Sequence, residues 1–177
     1  MSTTPRVSSA VPGEPAHFGS VLAHQPAIAA SFSALYGRFW GSDVLAARIK
    51  EVARMRNARV TECAFCRNVR FDKAVAQGLG EAAVDDITDG YETSERLTDA
   101  EKAVLKFTDA LIHDPDLLTV DAKAALQRHL SPAQIAELGL GLTLFLALAK
   151  ALITMGLEPE VMGRTVLPTP AVLEAAE

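Results

Sequence analysis

The feature that most constrains the fold is a long apolar segment that runs from Pro132 to about Met155. Ser131 before Pro132 is typical of a helix N-cap followed by proline at the first helical position, and Gly156 is typical of a helix end. The segment is apolar on nearly all sides, so the helix that it forms should be buried. Its longest apolar stretch, residues 138–148, is shorter than the roughly 20 residues that a membrane span needs. We therefore predict the central helix of a bundle and no membrane partner.

The remainder of the chain also divides into segments of helical length that are joined by short turns. An apolar face at helical spacing predicts a helix over about residues 26–40. Thr98 and Glu101 form a capping box, which predicts the start of another helix. No segment is a convincing strand, so we predict an all-α protein. Its three expected parts are a flexible N-terminal arm at 1–17, a helical domain at 18–160 and a C-terminal tail at 161–177.

The composition limits the partners and the compartment of the protein. Hydrophobic residues make up 49% of the chain, which is enough for a packed core. The net charge is -5 and there is no basic stripe, which argues against nucleic-acid binding. The N-terminus lacks the continuous apolar region of a signal peptide, so we expect a cytoplasmic protein. In a reducing cytosol, two cysteines spaced CxxC are more often catalytic or metal-binding than a structural crosslink.

The two cysteines, Cys63 and Cys66, stand at the start of a predicted helix. Helical spacing would place Cys63, Cys66 and Arg70 on one face. The free backbone N–H groups of a first turn and the positive charge of Arg70 both favour a thiolate. The second cysteine can then resolve an oxidised first one as a disulfide. We predict a reversible disulfide in which Cys66 is the more buried sulfur and Cys63 the more accessible one.

Other interpretations of these residues stay open. The cysteines can be inert and buried, or they can supply half of a zinc site, although the four histidines show no ligand spacing nearby. We expect no metal and no cofactor. Glu51 lies three residues from both Arg48 and Arg54, and a solvated ion pair would explain it. Because it precedes the cysteines by one helix, its carboxylate can instead approach Cys66 or Arg70.

The run from Glu51, through eleven residues, to Cys63-Ala-Phe-Cys66 resembles the core of a known family. This is the alkyl hydroperoxidase D-like branch of the carboxymuconolactone decarboxylase superfamily. Residues 94–129 and 130–160 resemble later helices of the same family, so the resemblance covers most of the chain.

The resemblance implies a helical bundle that assembles as a trimer, a hexamer or a dimer. It also implies that Cys66 attacks a peroxide, that Cys63 resolves the product, and that Glu51 shares a proton relay with a histidine. In this chain the position of that histidine holds Arg70, and arginine cannot transfer a proton in a protein. We therefore expect a thiol that ionises readily but turns over peroxide slowly, and we expect Arg70→His to raise turnover.

The leading hypothesis is a thiol-dependent oxidoreductase with peroxidase-like activity. Its partners would be a small-molecule hydroperoxide and a thiol reductant, either a protein or a small thiol. One alternative is a lyase or hydrolase of a small carboxylated substrate, for which the cysteines would be bystanders. Another alternative is a homo-oligomer that senses redox state without catalysis.

Overall fold

The computed structural model describes residues 3–171 of the 177-residue chain. Within that range the protein is all-α, as predicted, apart from two short strands. The helices are α1 (Phe18–Leu22), α2 (Pro26–Gly41), α3 (Ala47–Val60), α4 (Ala64–Asn68), α5 (Asp72–Ala76), α6 (Glu81–Asp85), α7 (Asp99–Ile112), α8 (Val120–His129) and α9 (Pro132–Thr154). The strands are β1 (Val69–Phe71) and β2 (Thr165–Leu167), and single 3-10 turns lie at Tyr91–Thr93 and Pro115–Leu117.

Helix α9 is the long central helix that the apolar segment predicts. The side chain of Ser131 accepts a hydrogen bond from Gln134 N, and the side chain of Gln134 accepts one from Ser131 N, which closes a capping box. By length and composition alone, α9 could cross a membrane. Here one side of it lies in the hydrophobic core, through Leu138, Leu142 and Phe145. It therefore serves as the core helix of this fold.

Helix α3 packs against both α7 and α9 and has more buried charged residues than is usual for a helix. Its four charged residues that are almost fully buried are Lys50, Glu51, Arg54 and Arg56. The ammonium of Lys50 shows how such a charge is held, because it donates to Phe39 O at 2.6 Å and to Ser42 O at 2.7 Å. Buried charges persist only when they have partners of this kind.

The two strands correct the sequence-based expectation that the chain has none. Val69–Phe71 pairs in parallel with Thr165–Leu167. The helix predicted to begin at the cysteines and to include Arg70 therefore ends early, at Asn68. Three residues are too few to show the alternation that predicts a strand, and the partner strand lies far away in the C-terminal tail.

Both terminal segments pack along the domain. Residues 3–17, which belong to the arm predicted to be flexible, run back over the end of α9, where Arg6 N donates to Met155 O at 2.9 Å. The C-terminal tail is held at Thr169, whose backbone N–H and hydroxyl donate to the carboxylate of Asp72 of α5 at 2.9 and 2.6 Å. The outermost parts of the predicted arm and tail, residues 1–2 and 172–177, lie outside the described residues.

Candidate active site

Cys63 and Cys66 form a disulfide at the start of α4. The chain leaves α3 through Glu62, whose φ of 57° lies in the left-handed region that few residues other than glycine adopt. This turn makes Cys63 the N-cap of α4, where its Sγ accepts a hydrogen bond from Cys66 N at 3.2 Å. The two Cα atoms are 5.2 Å apart, inside the usual range for a disulfide. Local backbone geometry is thus sufficient to bring the two sulfurs together.

The accessibility of the two cysteines is the reverse of the sequence-based prediction. Cys63 is 0% exposed and lies in a small apolar cluster with Ala149 and Leu152 of α9. Cys66 is only partly buried and lines a cavity. The prediction assumed that the helix end faces solvent, whereas the N-terminus of α4 points into the core. Cys66 is therefore the sulfur that a small molecule can reach.

The cavity beside Cys66 has a volume of about 790 Å³. Its polar groups are few and include Tyr36, Arg54, Asn57 and Glu158. Its apolar lining includes five phenylalanines, Phe18, Phe32, Phe65, Phe71 and Phe145, together with aliphatic side chains such as Leu152. A cavity of this size with a small set of polar groups is typical of a site for a small organic molecule.

Glu51 is 1% exposed and is paired with Arg54 of the same helix. The guanidinium donates to both carboxylate oxygens, at 2.8 and 2.6 Å, and it also donates to Cys66 O at 2.9 Å. Burial disfavours the charged form of Arg54, but the Glu51 carboxylate more than offsets this and raises the pKa of the guanidinium. The ion pair considered in the sequence analysis therefore exists, but it is buried rather than solvated.

The sequence predicts a partly buried Glu51 within hydrogen-bond or one-water reach of Cys66 or Arg70. In the structure Glu51 is buried, and the guanidinium of Arg54 joins its carboxylate to the backbone carbonyl of Cys66. Among the described residues, the hydrogen-bond donors to Glu51 are Arg54 and the backbone N–H of Phe71, at 3.4 Å. Arg54 thus connects the buried carboxylate to the backbone of the cysteine motif. The three-residue spacing of Glu51 and Arg54 indicates an ion pair but not its burial, so a surface pair was the simplest interpretation.

Arg70 does not share a face with the cysteines, and this prediction is wrong. Since α4 ends at Asn68, Arg70 lies on β1 and its guanidinium points to α6. It donates to both carboxylate oxygens of Glu81, at 2.9 and 3.1 Å, and to Arg67 O at 2.7 Å. Arg70 is not among the residues that line the cavity.

Two further polar residues of the cavity, Asn57 and Glu158, escaped the sequence analysis. Asn57 is 1% exposed and Glu158 is 4% exposed, and each has one side-chain oxygen without a hydrogen-bond partner within residues 3–171. Glu158 follows α9 and lies more than ninety residues from the cysteines in sequence. Only the folded chain brings it to Cys66, so no local motif could have shown it.

A second buried polar cluster on α3 lies away from the cavity and has a different character. Asp109 of α7 accepts hydrogen bonds from Arg56 Nε at 2.6 Å and from the hydroxyl of Tyr91 at 3.0 Å. Arg56 also pairs with Asp89 at 2.9 Å. Both oxygens of Asp109 are therefore engaged by protein groups.

The residues that the structure describes include no group of three or more His, Cys, Asp or Glu side chains placed to hold a metal ion. The candidate site is thus built from the disulfide, the buried ion pair and the two unpaired oxygens beside the cavity.

Comparison with known proteins identifies the fold. No family model matches the chain. Two uncharacterized proteins of Mycobacterium tuberculosis, from strains CDC 1551 and H37Rv, are each 32% identical to it over 88 residues. The match covers 50% of this chain and 31% of each relative, so it spans about a third of the length of these curated relatives.

Two solved structures share the architecture. One is a protein of unknown function from Agrobacterium tumefaciens, described as a candidate antioxidant defence protein AhpD, with a TM-score of 0.67 and 20% identity over 80% of this chain and 96% of that one. The other is a cysteine-to-alanine variant of the debrominase Bmp8 in complex with 2,3,4-tribromopyrrole, with a TM-score of 0.71 and 16% identity over 88% of this chain and 91% of that one. The chain therefore has the alkyl hydroperoxidase D-like fold, as the sequence resemblance predicted.

Proposed function

We propose that this protein is a thiol-dependent oxidoreductase that reduces an organic hydroperoxide through Cys66 and Cys63. One observation carries the proposal: a cysteine that is disulfide-bonded to its neighbour opens onto an apolar cavity of about 790 Å³. The fold shared with a candidate antioxidant defence protein is consistent with it. In the cycle, the dithiol is oxidised to the disulfide while the hydroperoxide is reduced to an alcohol and water.

The difference in exposure between the two sulfurs supports a separate role for each. Cys66 lines the cavity, so it is the nucleophile that attacks the terminal oxygen of the hydroperoxide. Cys63 is buried beneath it and resolves the resulting sulfenic acid as a disulfide. Arg54 holds the backbone carbonyl of Cys66 and fixes the position of this motif.

The cavity walls favour a bulky apolar hydroperoxide over hydrogen peroxide. Side chains such as Phe32, Phe65 and Phe145 can bury the organic part of a substrate, and each fully buried CH₂ contributes about 0.8 kcal/mol to binding. Hydrogen peroxide has no apolar surface to bury. A carboxylated substrate finds no free guanidinium within the described part of the cavity, because Arg54 is already paired with Glu51.

The cycle closes when a dithiol, either a reductase or a small molecule, reduces the disulfide.

We also propose that the chain forms a homo-oligomer. Ile28 and Leu35 of α2 and Leu140 of α9 are each more than half exposed, and an apolar surface of this kind is typical of a subunit contact.

The test compares cumene hydroperoxide with hydrogen peroxide as oxidants of the pre-reduced protein. We expect the rate constant for disulfide formation to be higher with cumene hydroperoxide, and Phe32→Ala to lower that constant while leaving the reaction with hydrogen peroxide unchanged. Equal rates for both oxidants, no faster than those of free dithiothreitol, would contradict the proposal.

A second candidate reaction is the reductive removal of bromide from a halogenated aromatic compound. The observation that favours it is the aromatic wall of the cavity together with the fold shared with a debrominase that was solved with a brominated pyrrole. The same dithiol would be oxidised, and bromide and the dehalogenated ring would be released. Bromide release from 2,3,4-tribromopyrrole, measured beside hydroperoxide consumption, separates the two reactions.

A further inference from the structure

Glu158 places a carboxyl group beside the reactive cysteine. It follows α9 and is 4% exposed. One of its oxygens accepts a hydrogen bond from the backbone N–H of Ala64, between the two cysteines, at 2.5 Å. The other oxygen is buried and has no hydrogen-bond partner in the described part of the chain. Both Glu158 and Cys66 line the same cavity.

A buried carboxylate oxygen without a partner is costly, and structures rarely retain one unless it has another use. The hydrogen bond from Ala64 N engages only one of the two carboxylate oxygens, so a purely structural role explains the burial of Glu158 only in part. Glu158 also lines the cavity in which a substrate would meet Cys66, so its carboxyl group is placed beside that space.

We propose that Glu158 is the group that moves the proton during the reaction at Cys66, and this inference rests on the proposed function. The Glu158 carboxylate first takes the proton of the Cys66 thiol. The thiolate then attacks the terminal oxygen of the hydroperoxide, the O–O bond breaks, and the alkoxide leaves with the electron pair. Protonated Glu158 gives its proton to this alkoxide, which leaves as an alcohol, and Cys66 becomes a sulfenic acid. The thiol of Cys63 displaces the hydroxyl group, and the disulfide and water are formed.

Other groups near the cavity are less suited to this task. The guanidinium of Arg54 cannot give up its proton, and both oxygens of Glu51 are engaged by that guanidinium. Burial raises the pKa of the Tyr36 phenol above its ordinary value, and the nearby Arg54 guanidinium offsets only part of this rise, so the phenol is a poor acid. His17 is exposed at the edge of the cavity, and its ring nitrogens already contact Glu14 and Ser20 N.

The test uses two oxidants that differ in the proton that they need. Cumene hydroperoxide releases an alkoxide, which must be protonated, whereas 3-chloroperoxybenzoic acid releases a carboxylate, which need not be. Both reactions begin from the same Cys66 thiolate, so the ratio of the two rates does not depend on how readily the thiol ionises. The variant Glu158→Gln keeps an oxygen that can accept the hydrogen bond of Ala64 N but cannot transfer a proton. The matched control is Glu160→Gln, which changes an exposed glutamate two residues away.

We expect Glu158→Gln to slow disulfide formation with cumene hydroperoxide by about 10²–10⁴-fold, the usual contribution of general acid–base catalysis. The rate with the peroxy acid should change far less, and Glu160→Gln should change neither. Equal slowing with both oxidants would show that Glu158 does not protonate the leaving alkoxide, and no slowing would show that it is dispensable. Either result overturns the proposal while leaving the proposed function intact.

A second measurement needs no variant and covers the case in which Glu158→Gln does not fold. If Glu158 supplies the proton, the protein should prefer the peroxy acid over cumene hydroperoxide by a smaller factor than free dithiothreitol does. The same factor in both would overturn the role of Glu158. A wild-type dithiol that reacts with cumene hydroperoxide no faster than dithiothreitol would overturn the proposed function, and this inference with it.

Discussion

Helix α3 carries two buried polar clusters on different sides, and they differ in how completely their atoms are paired. In the structural cluster, formed by Arg56, Asp109 and Tyr91, both oxygens of the central Asp109 carboxylate accept hydrogen bonds from protein groups. In the cavity cluster, formed by Arg54, Asn57, Glu158 and Cys66, Asn57 and Glu158 each have one oxygen that finds no hydrogen-bond partner among residues 3–171. A buried network in which every polar atom is hydrogen-bonded makes the core rigid. A network beside a cavity that leaves oxygen atoms without donors can accept hydrogen bonds from a ligand. The two clusters therefore distinguish the part of α3 that holds the fold from the part that, in the proposed function, lies beside the substrate.

The largest effect should come from Cys66, the sulfur of the cavity cluster. Cys66→Ser should abolish hydroperoxide turnover because no nucleophile then faces the cavity. Cys63→Ser should still reduce one equivalent of cumene hydroperoxide and should stop at a sulfenic acid on Cys66, which dimedone labelling and mass spectrometry detect. Dimedone labelling of Cys63 in the Cys66→Ser variant, with turnover retained, would show that the two roles are reversed.

The next effect sharpens the contrast between the clusters. Arg56→Met leaves the buried Asp109 with only Tyr91, so the free energy of unfolding should fall by about 3 kcal/mol while the oxidation rate of the folded protein stays unchanged. Arg54→Met should lower the free energy of unfolding by a similar amount, because it leaves the buried Glu51 carboxylate without its ion-pair partner. It should also slow oxidation of the cysteine pair. Urea denaturation and stopped-flow oxidation below the unfolding transition measure the two quantities. A slower reaction in Arg56→Met, with Arg54→Met unaffected, would contradict the division.

A smaller effect is expected at Arg70, which belongs to neither cluster. Its partner Glu81 is 42% exposed, so breaking the ion pair leaves no buried charge, but the buried guanidinium also donates to Arg67 O and Val69 O. Arg70→His should therefore reduce the free energy of unfolding by about 1–2 kcal/mol. Because the side chain points away from the cavity, turnover should not rise. This replaces the sequence-based expectation that a histidine here restores a relay. A rise in turnover with a pH dependence near 6.5, the ordinary pKa of histidine, would restore that expectation.

These cases show which parts of the molecule the sequence could predict. The bounds of α9 follow from Ser131, Pro132 and Gly156, since caps act within a few residues of the helix end. The cysteine pair was likewise visible as a local motif. The direction of Arg70 was not, because it depends on a three-residue strand whose partner lies far along the chain. Glu158 was not visible either, because only tertiary packing brings it to the cysteine motif.

The smallest effect concerns Asp72, which clamps the tail on the surface. The hydroxyl of Thr169 and its backbone N–H donate to the Asp72 carboxylate and lower its pKa in the folded protein. The folded state therefore binds fewer protons than the unfolded chain in this range. The hydrogen bonds between Thr169 and Asp72 stabilise the folded state fully above the pKa that Asp72 has in the unfolded chain, about 3.9. This stabilisation is lost as the pH falls through the lower pKa that Asp72 has in the folded protein.

Hydrogen exchange of the Thr169 amide measures this clamp directly. Corrected for the intrinsic exchange rate, its protection should be constant near neutral pH and should fall below about pH 4, near the ordinary pKa of aspartate. Asp72→Asn should remove this pH dependence without altering hydroperoxide turnover at pH 7. Protection that is independent of pH in the wild type would contradict the assignment.

The proposed function requires the cysteine pair beside the cavity to be a working redox centre. Mass spectrometry of the pre-reduced protein after one equivalent of cumene hydroperoxide tests this requirement. We expect the loss of two hydrogens, a single Cys63–Cys66 crosslink in the peptide map and full recovery of both thiols with a dithiol. Two thiols that stay free under excess cumene hydroperoxide would contradict it.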